Sequence, residues 1–184
     1  EQLTLPTFTR GHLLINLCNA APIIKKKQVV VIHDATTVQI PQAFSKNFVR
    51  WYNFMIPLLL KRSQAIATVS SFSKTEIVKS YGIARKITVV KEGADHFENI
   101  DADDKVLEKN GLTDNQYILA VGSMAPHKNF KTIVEAVEKI NSPNFECVIV
   151  GGTDPRVFSK KNTDLPKWVK HVGYVTDGEL KSLY

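Results

Sequence analysis

The run Gly122, Ser123, Met124, Ala125, Pro126, His127, Lys128, Asn129 joins an apolar pentapeptide to an amphipathic segment, and its residue types suit a phosphate or diphosphate. Gly122 lets a ligand approach the backbone, the free amides and positive end of a following helix attract an anion, and Lys128, with His127 beside it, adds positive charge. The run has neither the GxxxxGK[ST] spacing of a P-loop nor the GxGxxG spacing of a dinucleotide fingerprint, so ATPase and NAD readings lose support. Taken alone, a lysine near the start of a surface helix is the commoner explanation of such a run.

Three other turns could carry chemistry. Gly151, Gly152, Thr153 and Asp154 follow one apolar run, and Gly173, Tyr174 and Val175 follow another. Glycines there either admit a nucleoside close to the backbone or simply permit a tight turn. His33 and Asp34 close a further run. The imidazole can hydrogen-bond a sugar hydroxyl or diphosphate oxygen and the carboxylate can accept from another hydroxyl. A histidine satisfied by the neighbouring turn, and an aspartate capping it, are the plainer alternatives. No metal site is expected: Cys18 and Cys147 lie far apart, with no CxxC or Cys/His spacing that suits zinc. Each sits in an apolar run and is expected to be a buried free thiol of a reducing cytoplasm.

The elements that must position these residues alternate between short apolar runs and helical patterns, the signature of βαβ units with parallel sheets covered on both faces. Strands are expected at 13–18, 29–33, 65–69, 87–90, 117–121, 147–150 and 171–172. Ser73 and Glu76 have the spacing of a capping box, and Gly82 stands where a left-handed helix end belongs. Phe130, Ile133, Val134, Val137 and Ile140 form one apolar stripe at helical spacing. Thr176 and Glu179 begin another capping box, with Leu180 and Leu183 opening its buried face. Ligands of such sheets sit beyond the carboxyl ends of the strands, where all four turns fall.

Composition is that of an ordinary globular chain, 43% hydrophobic and 23% charged over 184 residues, and no run reaches the roughly 18–20 apolar residues that cross a bilayer. The net charge of +6 is uneven: residues 1–93 hold 13 Lys/Arg against 4 Asp/Glu, and residues 94–184 hold 11 against 14. A basic first half suits an anionic partner such as a phosphorylated acceptor, an anionic lipid surface or nucleic acid, or serves solubility alone. Segment 48–62 interleaves Trp51, Tyr52, Phe54 and Met55 with Arg50, Lys61 and Arg62. Such a surface can lie on a membrane, although a helix packed on its sheet is the commoner arrangement, and Pro57 should bend it. The polar stretch around Asp101, Asp103 and Asp104 separates two αβ patterns. The expected organisation is one domain part at 1–95, a linker with a first helix at 96–114, and a second domain part at 115–184.

The segments NLCNAAP at 16–22, VVIHD at 30–34, ATVSSFSK at 67–74, KITVV at 86–90 with Gly93, YILAVGS at 117–123, PHKN at 126–129, VGG at 150–152 and VGYVTD at 172–177 occur in an order and spacing that resembles the retaining glycosyltransferases of family 4, especially mannosyltransferases. The resemblance runs through nearly the whole chain. It implies the α/β GT-B fold, two Rossmann-like domains with parallel sheets, each only partly present here and interrupted at both ends. Residues 1–95 would be the later part of the acceptor domain and 115–184 the first part of the donor domain.

The same resemblance implies sugar transfer, with retention, from a GDP- or UDP-linked donor to a polysaccharide or lipid-linked oligosaccharide. No metal would be needed, no nucleic acid would be involved, and the site would be cytoplasmic or peripheral at the inner membrane face. Lys128, with Gly122, Ser123 and His127, would bind the donor diphosphate. Gly151, Gly152, Gly173, Tyr174 and Val175 would border the nucleoside, and His33 with Asp34 would face the reacting sugar. Ser123 and His127 stand where the family often has arginine. An acidic pair of the family is expected beyond Tyr184 and a glycine-bearing loop before Glu1, so the fragment alone is expected to be inactive. An epimerase of the same fold, which would draw on carboxylates such as Asp34 and Asp154, and a non-catalytic anion-binding module are the alternatives.

Overall fold

A computed structural model of the chain describes residues 1–113, 116–123, 125–140, 146–152, 166 and 168–184. Met124, Thr153 and Asp154, which belong to the turns singled out above, lie outside the described residues. The chain divides into two compact units, Glu1–Glu92 and Gly93–Tyr184.

The first unit contains a four-stranded parallel sheet, β1 (Leu14–Asn16), β2 (Gln28–Val31), β3 (Ala65–Thr68) and β4 (Thr88–Val89), in spatial order β1-β2-β3-β4. Helices α1 (Thr4–Phe8), α2 (Thr36–Gln39), α3 (Lys46–Arg62) and α4 (Ser71–Tyr81) accompany it. Met55, Ile56, Leu59 and Leu60 repeat at helical spacing on α3 and pack with Val30, Ile32, Ile66, Ile77 and Ile87 in one core. Gln28, fully buried, is satisfied: its amide donates to the Pro22 carbonyl (2.8 Å) and its side-chain oxygen accepts from Asn16 Nδ2 (3.0 Å).

Three expectations need correction in this unit. The helix after β3 does not start at a Ser73–Glu76 box. It starts three residues earlier, because Ser70 directly follows the strand and its Oγ takes the Ser73 amide at 3.0 Å, which makes Ser73 part of the first turn. Its other end is as expected, at Gly82 with φ +62°. Strand β1 is not covered on both faces: it is a sheet edge, and Ile15 is 59% exposed. For the same reason Cys18, just past that edge strand, is an exposed thiol rather than a buried one. Helix α3 continues through Pro57 to Arg62, giving up the one hydrogen bond for which proline has no N–H.

In the second unit β5 (Tyr117–Val121), β6 (Glu146–Val150) and β7 (Val169–Gly173) form a parallel sheet in that order. Helices α5 (Asp95–Glu98), α6 (Lys105–Lys109), α7 (Phe130–Ile140) and α8 (Asp177–Leu183) belong to it. The two-residue period of β6 sends Cys147 and Ile149 to a core with Phe130, Val134 and Val169, and Val148 and Val150 to a second core with Val106, Leu112 and Leu183. Both faces of the sheet are therefore covered, and burial pushes the Cys147 thiol pKa up. Backbone bonds hold the stretch before α6 to α8: the Asp103 amide donates to the Gly178 carbonyl (3.0 Å), and Lys181 Nζ donates to the carbonyls of Glu98 (3.0 Å) and Ile100 (2.6 Å). The Thr176–Glu179 capping box forms as the sequence predicts. The seven expected strands are all present and parallel, so the α/β class with parallel sheets holds throughout.

Candidate functional site

Each strand of the second sheet ends in a glycine turn, and hydrogen bonds stitch the three ends together. Gly122 N–H donates to the Val150 carbonyl (2.8 Å), and Gly151 N–H donates to the Gly173 carbonyl (2.7 Å). Gly151 has φ +138°, and a Cβ built on it would lie 2.0 Å from the Gly122 oxygen. A side chain is therefore excluded both by backbone conformation and by its neighbour.

This close approach opens a cleft of about 490 Å³ above the rim, lined by Val121, Gly122, Ser123, Val150, Gly151, Gly152, Tyr174, Val175, Asp177 and Leu180. Small-molecule sites occupy roughly 300–1,000 Å³, so the space suits a nucleoside-sized ligand. Its floor is apolar. Polar contacts come from the backbone, from Ser123 and Tyr174, and from the Asp177 carboxylate at the start of α8. Among the described residues the amides of Ser123 and Gly152 have no acceptor, so both are open to a bond with a ligand.

Of the residues predicted from sequence, Gly122, Ser123, Gly151, Gly152, Tyr174 and Val175 line this one cleft. Gly173 stands behind it, holding Gly151. Lys128 ends a single 3-10 turn, Pro126–Lys128, and its amide donates to the Ala125 carbonyl (2.9 Å). The lysine stem passes over Gly122: a Cβ there would meet Lys128 Cδ and Cε at 3.8 and 3.9 Å. The side chain is exposed, and among the described residues its ammonium makes no ion pair. His127, in the same turn, is half-buried. Asn129, with φ +54°, turns the chain into α7.

His33 and Asp34 belong to the first unit. The His33 amide donates to Asn19 Oδ1 (2.6 Å), and its ring Nε2 lies 2.7 Å from the Leu17 carbonyl, which assigns the proton to Nε2. Ring Nδ1 is 3.4 Å from Glu92 Oε1. Asp34 Oδ1 accepts the Thr36 amide (2.8 Å) at the start of α2. Asp34 thus caps the turn that follows it, as in the plainer alternative, whereas the partners of His33 come from the segment after β1 and from Glu92 rather than from the neighbouring turn. Among the described residues no cluster of His, Cys, Asp or Glu could hold a metal ion, and no helix is long and apolar enough to cross a membrane.

Sequence reasoning missed Asp177 and Leu180 as cleft residues and His171, whose ring Nε2 lies 2.7 Å from the Gly151 carbonyl. Asp177 carried a usable signal, since it follows the capping Thr176 and so must sit in the first turn of a helix facing the rim. His171 carried none, because its partner belongs to the turn after a neighbouring strand.

The model of the family described as Glycosyl transferases group 1 matches residues 102–184, which hold the whole cleft. The chain is also 25% identical over 182 residues to the O-antigen chain mannosyltransferase RfbU of Salmonella typhimurium, covering 96% of this chain and 48% of that protein. It is 26% identical over 170 residues to the O-antigen chain mannosyltransferase B of Escherichia coli, covering 86% of this chain and 45% of that protein. The likeness therefore extends across both units, while the chain spans about half the length of these curated relatives.

Proposed function

We propose that the protein to which this chain belongs is a retaining hexosyltransferase of family 4 that moves a sugar, mannose by preference, from a GDP- or UDP-linked donor to a growing glycan or lipid-linked oligosaccharide. The observation that carries the reading is the meeting of Gly122, Ser123, Gly151, Gly152, Tyr174 and Val175 in one cleft with the Lys128 stem crossing its edge. The mannosyl preference rests on the likeness to two O-antigen mannosyltransferases, and the glycosyltransferase reading on the group 1 match.

In this reading the nucleoside lies on the apolar floor, with Asp177 as an acceptor for its polar groups. The diphosphate reaches the Ser123 amide and the Lys128 ammonium. The bond between the anomeric carbon and the diphosphate oxygen breaks with its electron pair on that oxygen, whose charge Lys128 and the free amides stabilise. The acceptor hydroxyl then bonds the anomeric carbon on the face the diphosphate left and passes its proton to the departed diphosphate oxygen. His33 with Asp34 would face the reacting sugar in this scheme. The charge on the departing group is balanced by these residues, with no step assigned to a metal.

The outer face of α3 supports a membrane-bound acceptor. The helix contains no carboxylate; Arg50, Lys61 and Arg62 are exposed, as are Trp51 and Phe54, whose rings are 6.1 Å apart. Cations flanking exposed aromatics suit the headgroup layer of an anionic bilayer, which supports a site of work peripheral to a membrane.

Titration of the intact protein with GDP and UDP tests the core of the reading. Saturable binding of at least one nucleotide that Lys128→Ala weakens is expected. Binding of neither would overturn it in favour of a non-catalytic module.

A further inference from the structure

We propose that His171 is a positioning residue of the donor cleft: its ring fixes the Gly151 carbonyl and so aims the free amide of Gly152 at the nucleotide. The inference rests on the donor-cleft reading above and assigns to it a residue outside the cleft lining.

The geometry begins in the register of β6 and β7. Ile149 pairs with His171, but Val150 pairs with Gly173, so Val172 is an extra residue that bulges from the ladder. The shift brings Gly173 beside the end of β6, and the His171 ring reaches past that end, where Nε2 lies 2.7 Å from the Gly151 carbonyl. A carbonyl only accepts, so Nε2 carries the proton. On its other side Gly151 donates its N–H to Gly173 at 2.7 Å. Both polar backbone groups of Gly151 are therefore held by β7, one by its main chain and one by a side chain.

The consequence follows from peptide planarity. Among the described residues no peptide bond is cis, so the Gly152 N–H points opposite to the Gly151 C=O. Fixing that carbonyl fixes the amide. Gly152 lines the cleft, and its amide has no acceptor among the described residues. A Gly-Gly peptide is the most freely rotating link a chain can have, so the direction of this amide depends on an external restraint. His171 supplies one, and an oriented donor adds affinity by removing the ordering cost from the binding step.

The test is calorimetric titration of the intact protein and its variants with GDP and UDP, read together with the Gly152 amide resonance in proton–nitrogen spectra. His171→Leu, which removes the donor, should lose about tenfold in nucleotide affinity and shift the Gly152 resonance in the free protein. His171→Gln, whose side-chain amide can donate to the same carbonyl, should stay within about threefold of the unsubstituted protein and leave the resonance near its place. A purely structural role would not be rescued in this way. Should His171→Leu fail to fold, His171→Asn, too short to reach the carbonyl, replaces it with the same expected loss. Unchanged affinity in the donor-less variant, or equal losses in both variants, would overturn the inference alone. Absence of nucleotide binding by the unsubstituted protein would overturn the donor-cleft reading beneath it.

Discussion

The α-carbon of Gly151 is packed against the carbonyl oxygen of Gly122 so tightly that a methyl group there would come within 2.0 Å of that oxygen. Two loops far apart in sequence are thereby brought to one rim, and the cleft exists because neither loop holds the other away. Gly151→Ala adds this collision to a left-handed backbone that L side chains avoid. Such strain costs about 1–3 kcal/mol before the clash is relieved. A destabilisation of at least about 2 kcal/mol in urea denaturation, with loss of nucleotide binding, is expected. An alanine variant as stable as the parent would show that the two loops separate freely.

Lys128→Ala should leave helical content unchanged by circular dichroism, because the side chain is exposed and the 3-10 turn is held by backbone bonds. A hydrogen bond to a charged group contributes about 1.5–3 kcal/mol, so GDP or UDP affinity should fall by about tenfold or more. Lys128→Arg should recover part of it. Equal affinities for lysine and alanine would remove Lys128 from the diphosphate site.

The glycine turns and Lys128 were legible in the sequence because they depend on local rules: strand, turn, helix start, positive charge. The strands were legible for a similar reason, since a run such as Cys147, Val148, Ile149, Val150 can be buried on both faces only between two layers. What local rules did not supply is pairing. Nothing in the residues around Leu14, Ile15 and Asn16 marks that strand as an edge, so Cys18 beside it was placed inside. Two serine caps three residues apart, Ser70 and Ser73, compete for one helix start, and the strand that ends just before Ser70 decides between them. His171 was invisible because its reach to Gly151 depends on the pairing of β6 with β7, a property of two strands together.

The box at the start of α8 gives a pH prediction. The Thr176 backbone amide and then its side chain hydrogen-bond the Glu179 carboxylate and hold its pKa below the usual glutamate value. A pKa lowered on folding contributes stability above the unfolded value, and that contribution is lost as pH falls through the folded one. Unfolding scans from pH 6 downward should therefore show a loss that begins in the ordinary glutamate range and continues below it, and Glu179→Gln should flatten that part of the profile. Thr176→Ala should cost about 1 kcal/mol at neutral pH. An unaltered acid limb in Glu179→Gln would show that the box does not contribute.

The exposed face of α3 predicts lipid binding independent of the cleft. Co-sedimentation with vesicles rich in phosphatidylglycerol should exceed that with neutral vesicles and fall with salt. Arg50→Glu with Arg62→Glu should abolish the difference while nucleotide titrations stay the same. Leu59→Ala on the buried face of the same helix should instead destabilise by about 2–5 kcal/mol. Equal binding to neutral and anionic vesicles would remove the electrostatic part of the proposal.

The cysteines are divided between the units, Cys18 exposed in the first and Cys147 fully buried in the second. An alkylating reagent therefore meets two clocks in one chain. Cys18 is modified directly from the folded state, setting an internal standard. Cys147 is modified only when the β6 layer opens. The ratio of the two rates reads the opening equilibrium of the donor-side unit without a dye, a denaturant or a substitution, and a nucleotide that closes on the Gly151 rim should slow the second clock and leave the first untouched.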